Sequence, residues 1–471
     1  WIWRVLWLAT ADFAKMAQGI PVTFSEVLNL PNLGVNSSCV KFGSCAMESD
    51  KFITVCDSTG GSPQVFVIDL AAGNAVTKRP ISAEAAIMNP VSKVLALRAG
   101  TQLQIFNLEL RAKMKSHNMT AGCVFWRWTS PNNIALVTPQ SVFHWSIEGT
   151  TEPVKVFDRH ASLAEGTQII NYQVSPDEKW CLLMGIAQGA GGIIQGTMQL
   201  FSIEKGVSQT LNGHTGCFHT IAVPGRAEPA QVLCFEEKKP DTPAKLFVME
   251  VGRDKDAPGG VFRLAPVNIP VPADAPNDFP VAMTPSPKHD VLYMITKMGY
   301  LYLFDVFSGK ALYRARVTQD TVFVTCQETA TGGMLGITAR KGQLLQVSLN
   351  EQTLVPYVVS TLRDNALAIA LASRLNLPGA DDLYQSEFHR LISMSDVAAA
   401  AKLAASLCAK NADHIAARDR FHMAADCYKH QKSKKFVAKK RRALLRAHTH
   451  DLIAKIMPRR ARRLNRRALT L

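Results

Sequence analysis

The stretch KFITVCDSTGGSPQVFVID, residues 51–69, sets two runs rich in β-branched and aromatic residues on either side of a turn of glycine, serine and proline. Strands of this length with such punctuation between them are hairpins. The same unit returns six more times. Its upstream strands are KVLALR (93–98), NIALVT (133–138), WCLLMGI (180–186), QVLCF (231–235), DVLYMIT (290–296) and MLGIT (334–338). Its downstream strands end at Asp69, Asn107, Ser146, Ser202, Glu250, Asp305 and Ser348, successive ends lying 38, 39, 56, 48, 55 and 43 residues apart. A repeat of this period made of strands alone is the arithmetic of propeller blades. One blade cannot bury both of its faces, whereas radial neighbours cover each other, so the number of repeats sets the ring. The expectation is a mainly β chain, a seven-bladed β-propeller over residues 16–348.

Beyond about Val347 the period changes. RDNALAIALASR (363–374) carries apolar residues at helical spacing and Leu377-Pro378-Gly379 stops it. Residues 381–393 and 396–405 read as two further short helices, the last opening at Ser395 as N-cap. Residues 349–405 are therefore expected to be a helical linker and the start of an α-solenoid. The ends differ from this body. Residues 1–15, WIWRVLWLATADFAK, lack the layout of a secretory signal and read as a non-domain extension, with an interfacial anchor as the lesser alternative. Residues 406–471 hold 19 of the 53 basic side chains and 4 of the 38 acidic ones. They read as a divergent, solvated basic tail; runs such as Lys439-Lys440-Arg441-Arg442 also suit a nuclear address, an RNA-binding arm or an anionic-lipid patch.

That tail accounts for the whole net charge of +15, because the other 405 residues carry 34 basic and 34 acidic side chains. Polyanion binding is not the signature of the body. With 47% hydrophobic residues the chain is no disordered polymer, and its ten cysteines follow no disulfide spacing. No apolar run reaches the length of a membrane span. Nucleotide-loop, zinc-protease and nucleophile-elbow motifs are missing, and Ile194 stands where a dinucleotide fingerprint around Gly189, Gly191, Gly192 and Gly196 needs glycine. His214, Cys217 and His219 lack a fourth metal ligand and read as loop residues. Asp158, Arg159 and His160 read as an inter-blade polar cluster rather than acid–base machinery. The expectation is no catalytic residue, no metal and no cofactor, with cysteines such as Cys56, Cys181 and Cys234 acting as small buried hydrophobes. A propeller enzyme with a central-channel site and a scaffold with a basic nucleic-acid- or membrane-binding tail are the competing readings.

Long stretches of residues 16–405 are familiar. MAQGIPVTF (16–24), NLGV (32–35), MESDKF (47–52), RPISAEAAIMNP (79–90), FWRW (125–128), HWSIEG (144–149), VKVFDRH (154–160), QIINY (168–172), NDFPVAM (277–283) and KHDVLYMITKMGY (288–300) resemble the clathrin heavy chain family. The resemblance implies a propeller terminal domain, a helical linker and a long α-zigzag leg, in a structural coat protein of vesicle transport. It implies adaptor and accessory proteins as partners and a place on the cytoplasmic face of coated pits and vesicles, reached through those adaptors. Since the pattern is lost near Ala405, the expectation is a truncated chain that recruits adaptors but neither trimerises, binds light chains nor builds a lattice.

In that family short extended motifs, of the form leucine, hydrophobic, any residue, hydrophobic, acidic, lie between blades one and two. Carried over, the resemblance implies a groove of Val67, Arg79, Ile81, Leu95, Leu97, Gln104, Phe106, Arg111 and Lys113. Thr77, Gln102 and Arg111 depart from the usual pattern, which bears on motif preference. From the residues alone, Leu95, Leu97 and Phe106 read as propeller core. A second site, for tryptophan-containing motifs, maps to Phe42, Gln168, Ile170 and Ile186. A third, on blades four and five, maps less securely to Trp180, Leu200, Lys205 and Gln209. Single contacts of this size are weak, and useful affinity comes from many copies engaged together.

Overall fold

All seven hairpins form, each as the two middle strands of a four-stranded antiparallel sheet. A computed structural model describes residues 19–394 apart from 60–61, 165, 240–241, 255 and 379–380, together with 396, 399 and 403. Six blades run 45–79, 85–118, 125–158, 168–212, 216–268 and 280–316; strands within 322–349 begin the seventh. The fold is the seven-bladed β-propeller that the repeat requires.

The middle strands are the most deeply buried, and Phe52–Asp57, Val291–Thr296 and Tyr300–Asp305 are buried along their whole length. Both of their faces meet a neighbouring blade, which is why they read as continuous apolar runs and stood out in the sequence. Outer strands differ. Ala75–Arg79 and Ala112–Asn118 are largely exposed, Ala311–Arg316 exposes Arg314 and Arg316, and all three carry Lys or Arg, which discourages further strand pairing at a free edge. Ring closure uses the strand Val22–Asn29, which pairs with Gln343–Leu349 as the outer strand of the seventh blade. Thr23 Oγ1 lies 2.6 Å from Ser348 Oγ across that seam. Nothing in the repeat announced this long-range pairing.

The chain divides into two compact units, Thr23–Leu349 and the residues on either side of it. In the second unit Asn350 N donates to Pro21 O at 2.9 Å and Thr353 Oγ1 to Ile20 O at 2.6 Å. A short helix, Leu354–Tyr357, runs into a π-helical turn, Val358–Leu362. The next helix is Asn365–Leu375, two residues shorter at its start than expected. Arg363 is left-handed (φ 53°) and Asp364 is the N-cap, its side chain accepting from Leu367 N at 3.0 Å. The helix stops at left-handed Asn376, before Pro378 is reached. It buries Leu367, Ala368, Leu371 and Ala372, one face at helical spacing. Asp381–Ser393 is helical as expected. The expected helix 396–405 falls for the most part outside the described residues, and the extensions 1–15 and 406–471 lie wholly outside them. No helix among the described residues is long and apolar enough to cross a membrane.

Candidate functional site

Blade one turns one face to blade two, and strand register decides which side chains meet there. Thr54, Val67 and Thr77 form one cross-strand row, and Cys56, Val65 and Arg79 the next. On the facing surface Met88, Leu95, Phe106 and Lys113 form a row, with Ala86, Leu97, Gln104 and Ser116 beside it. The two faces close over a single apolar cluster of Phe52, Cys56, Val65, Val67, Ala86, Met88, Leu95 and Leu97, with Ile81 and Phe106 half-buried against it. Thr54 Oγ1 donates to Ala86 O at 2.6 Å and pins the blades at depth. Asp69 and Lys93, paired at 3.2 Å, join them again.

All nine groove residues implied by the resemblance therefore lie on blades one and two or the segments that follow their strands, at three depths. Val67, Leu95 and Leu97 are 6%, 0% and 5% exposed and form the floor. Arg79, Ile81, Gln104 and Phe106 are half-buried, while Arg111 and Lys113 stand in solvent. Arg111 occupies the tight turn into the outer strand with φ 52°. Arg79 Nε is buried and has no hydrogen-bond partner. The arrangement can accept aliphatic side chains against the cluster and a carboxylate at its cationic edge.

The second set is brought together in part. Phe42 and Ile170 line one cavity on the propeller axis, whereas Gln168 and Ile186 face each other across the inner hairpin of blade four. Phe125 is the residue the sequence reading missed here; its ring stacks on Phe42 at 6.3 Å and 20°. In the third set Leu200 and Gln209 are cross-strand partners. Leu200 and half-buried Trp180 pack with Phe247, Met249 and Val251 of blade five, and Lys205 is exposed.

Residues 217 and 219 are strand, not loop, within Gly216–Ile221. His214 is held by Glu236, His219 reaches Asp290 at 3.2 Å, and Cys217 faces Cys234. Each has its own partner, and among the described residues no group of three or more His, Cys, Asp or Glu is placed to hold a metal. Asp158, Arg159 and His160 do form an inter-blade cluster: Gln199 of blade four donates to Asp158 O and accepts from His160 N, at 3.0 and 2.8 Å. The eight described cysteines are free and buried. Burial pushes the Cys45 and Cys56 thiols up to about 12 and those of Cys123 and Cys181 to about 11, so they stay protonated and unreactive.

A family model described as Clathrin, heavy-chain linker matches residues 351–374, and one described as Clathrin-H-link matches 376–412. Over 387 residues, 82% of its length, the chain is 47% identical to the probable clathrin heavy chain 1 of Caenorhabditis elegans. The chain is a clathrin heavy-chain homologue. It is also 44% identical over 391 residues to clathrin heavy chain 2 of Homo sapiens. A third relative, the probable clathrin heavy chain of Schizosaccharomyces pombe, is 41% identical over 391 residues. The last two alignments each cover 83% of this chain. This homologue spans 23–24% of the length of those curated relatives. Among solved structures, the Myceliophteria thermophila Cps50 (Swd1) β-propeller domain aligns with a TM-score of 0.44 at 9% identity, over 66% of this chain and 98% of that one.

Proposed function

We propose that this clathrin heavy-chain homologue is a structural, non-catalytic coat component that receives short acidic, leucine-rich adaptor motifs between its first and second blades. The observation that carries the reading is the pairing, in one inter-blade space, of an apolar floor with the cations Arg79, Arg111 and Lys113 at its edge. Arg79 has a buried Nε without an acceptor, which a ligand carboxylate would satisfy. Phe106, half-buried beside Leu95, offers a flat wall for a leucine side chain. The pair Phe42 and Ile170, and the ridge of Trp180 and Leu200, serve as secondary docking points, so that several motifs engage one propeller at once. The chain then works at the cytoplasmic face of coated pits and vesicles, reaching the membrane through adaptors, and its propeller needs no nucleic acid or cofactor.

Titration calorimetry with a synthetic acidic leucine-rich peptide tests this. Gln104→Ala combined with Lys113→Glu removes one groove-edge hydrogen-bonding group and reverses one charge. It should weaken binding by about tenfold or more, since a hydrogen bond to a charged group is worth roughly 1.5–3 kcal/mol. The melting temperature should stay unchanged, because neither side chain is core. Equal affinity in the parent and the double variant would remove the groove from the reading. Raising salt should weaken the parent complex as the exposed Arg111 and Lys113 are screened.

A further inference from the structure

Blade two turns toward blade one a row of Ala86, Leu97, Gln104 and Ser116, and the hydroxyl of Ser116 is its solvent end. The neighbouring row ends at Lys113. Three positions separate Lys113 from Ser116, which in a regular strand would set them on opposite faces. A bulge between Ile105 and Phe106 puts both on the groove side. Lys115 goes the other way; its Nζ donates to Ser146 O at 2.8 Å and to Thr151 Oγ1 at 3.0 Å, on blade three. Ser116 is exposed, and its Oγ has no hydrogen-bond partner among the described residues.

The charges around this hydroxyl are of one sign. None of the four rows that face each other across the groove carries an acidic side chain, and Asp69, one row further along, is paired with Lys93. Arg79, Arg111 and Lys113 therefore have no carboxylate of the chain's own on those rows. A phosphate on Ser116 would carry about two negative charges at pH 7. It would stand one row, roughly 7 Å along the strand, from Lys113, inside the Debye length of about 8 Å. The approach from outside is basic as well. Arg111, Lys113 and Lys115 lie five, three and one positions ahead of Ser116. The first two stand in solvent, on an outer strand that is extended and paired on one side only. Charge patterns of this kind are what kinases use to select a substrate.

We propose that Ser116 is a phosphate acceptor for a protein kinase that selects basic residues ahead of serine, and that phosphate there closes the inter-blade groove to acidic motifs. In the transfer Ser116 Oγ attacks the γ-phosphorus of ATP and the bond from that phosphorus to its bridging oxygen breaks. ADP leaves with the electron pair, and the hydroxyl proton passes to the kinase's base. The phosphoserine competes from within the chain for Lys113 and Arg79 and repels the carboxylate they would otherwise hold. The inference rests on the groove reading and adds its regulation.

The test treats the full chain with the catalytic subunit of cyclic-AMP-dependent protein kinase and ATP, and locates phosphate by peptide mass spectrometry. Ser116 should carry it, and Ser116→Ala should take none at this site. A chain made with phosphoserine placed at position 116 during synthesis isolates the effect of that one phosphate from any other the kinase adds. Calorimetry should show the acidic leucine-rich peptide binding this form about tenfold or more weakly than the unmodified chain, at an unchanged melting temperature. The same peptide with glutamine in place of its acid should differ by no more than about twofold between the two forms, because the switch acts through charge. The affinity of Ser116→Ala should be the same before and after kinase treatment. An unmodified Ser116 after exhaustive treatment, equal affinity in the two forms, or equal weakening of both peptides would overturn the proposal. Failure of the unmodified chain to bind the acidic peptide would instead remove the groove reading, and this regulation with it.

Discussion

Glu236→Ala is expected to cost the propeller about 3–5 kcal/mol of stability, the usual penalty for stranding one member of a buried ion pair. His214 and Glu236 are 3% and 1% exposed. Glu236 Oε2 accepts from His214 N at 2.7 Å and from Nδ1 at 3.1 Å, while Nε2 lies 3.1 Å from Ile194 O. A carboxylate and a carbonyl can only accept, so both ring nitrogens are placed to donate and the site favours the imidazolium. It stacks on Phe279 at 4.7 Å. The surroundings cannot relax around a lost partner. A Cβ on Gly213 would lie 1.8 Å from Glu236 O, and one on Gly196 would lie 2.3 Å from Gly213 O, so three backbones are already in closest approach.

The pair also fixes a pH dependence. Burial alone would lower the pKa of His214; the Glu236 carboxylate and the Ile194 carbonyl outweigh burial and nearby Lys238, and raise it. A raised folded-state value means the stabilisation is complete below the ordinary histidine value of about 6.5 and is lost as pH rises through the folded value. Thermal melts from pH 6 to 9 should therefore show the gap between the parent and His214→Gln narrowing toward alkaline pH. Glu236→Gln, which keeps an acceptor, should lose less than Glu236→Ala. A gap that is constant across the range would mean that His214 is neutral in the fold.

What the sequence disclosed and what it hid follow from where each strand sits. The middle strands are covered on both faces, so VLYMIT (291–296) and YLYLFD (300–305) are continuous apolar runs and the seven-fold count was legible. Ala112–Asn118, AKMKSHN, and Val207–Asn212, VSQTLN, are outer strands facing water and resemble loops. Inner strands such as Pro280–Ser286, PVAMTPS, mix proline with small residues at the crowded axis and carry no alternation to read. The groove was legible in its members and not in its depths. Alternating Leu95 and Leu97 look the same whether they line a cleft or fill a core, and only packing put them beneath half-buried Phe106 and Gln104. The axial cluster of Glu48, Arg98 and Arg127 had no motif at all, because three different blades supply it.

That distinction of depth yields the second large effect. Leu95→Ala should destabilise the propeller by about 2–5 kcal/mol, the range for truncating a fully buried leucine into a cavity. Leu95 is 0% exposed, faces Phe106 across the hairpin and is packed from the opposite blade by the cluster holding Val65 and Val67. No neighbour can collapse into the space cheaply. Thr54 and Ala86 tie the blades together at 2.6 Å on one side and Asp69 holds Lys93 at 3.2 Å on the other. Lys113→Glu, on the same cross-strand row yet in solvent, should leave the melting temperature where it was and act on peptide affinity alone. Leu95→Ala should do the reverse, lowering the denaturation midpoint while the surviving folded protein binds the acidic peptide within a few-fold of the parent. Were Leu95→Ala instead to abolish binding at unchanged stability, the floor would be open to ligand and Leu95 a contact residue. The two residues sit two strands apart on one row, so their opposite signatures separate the scaffold of the groove from its recognition surface within a single blade.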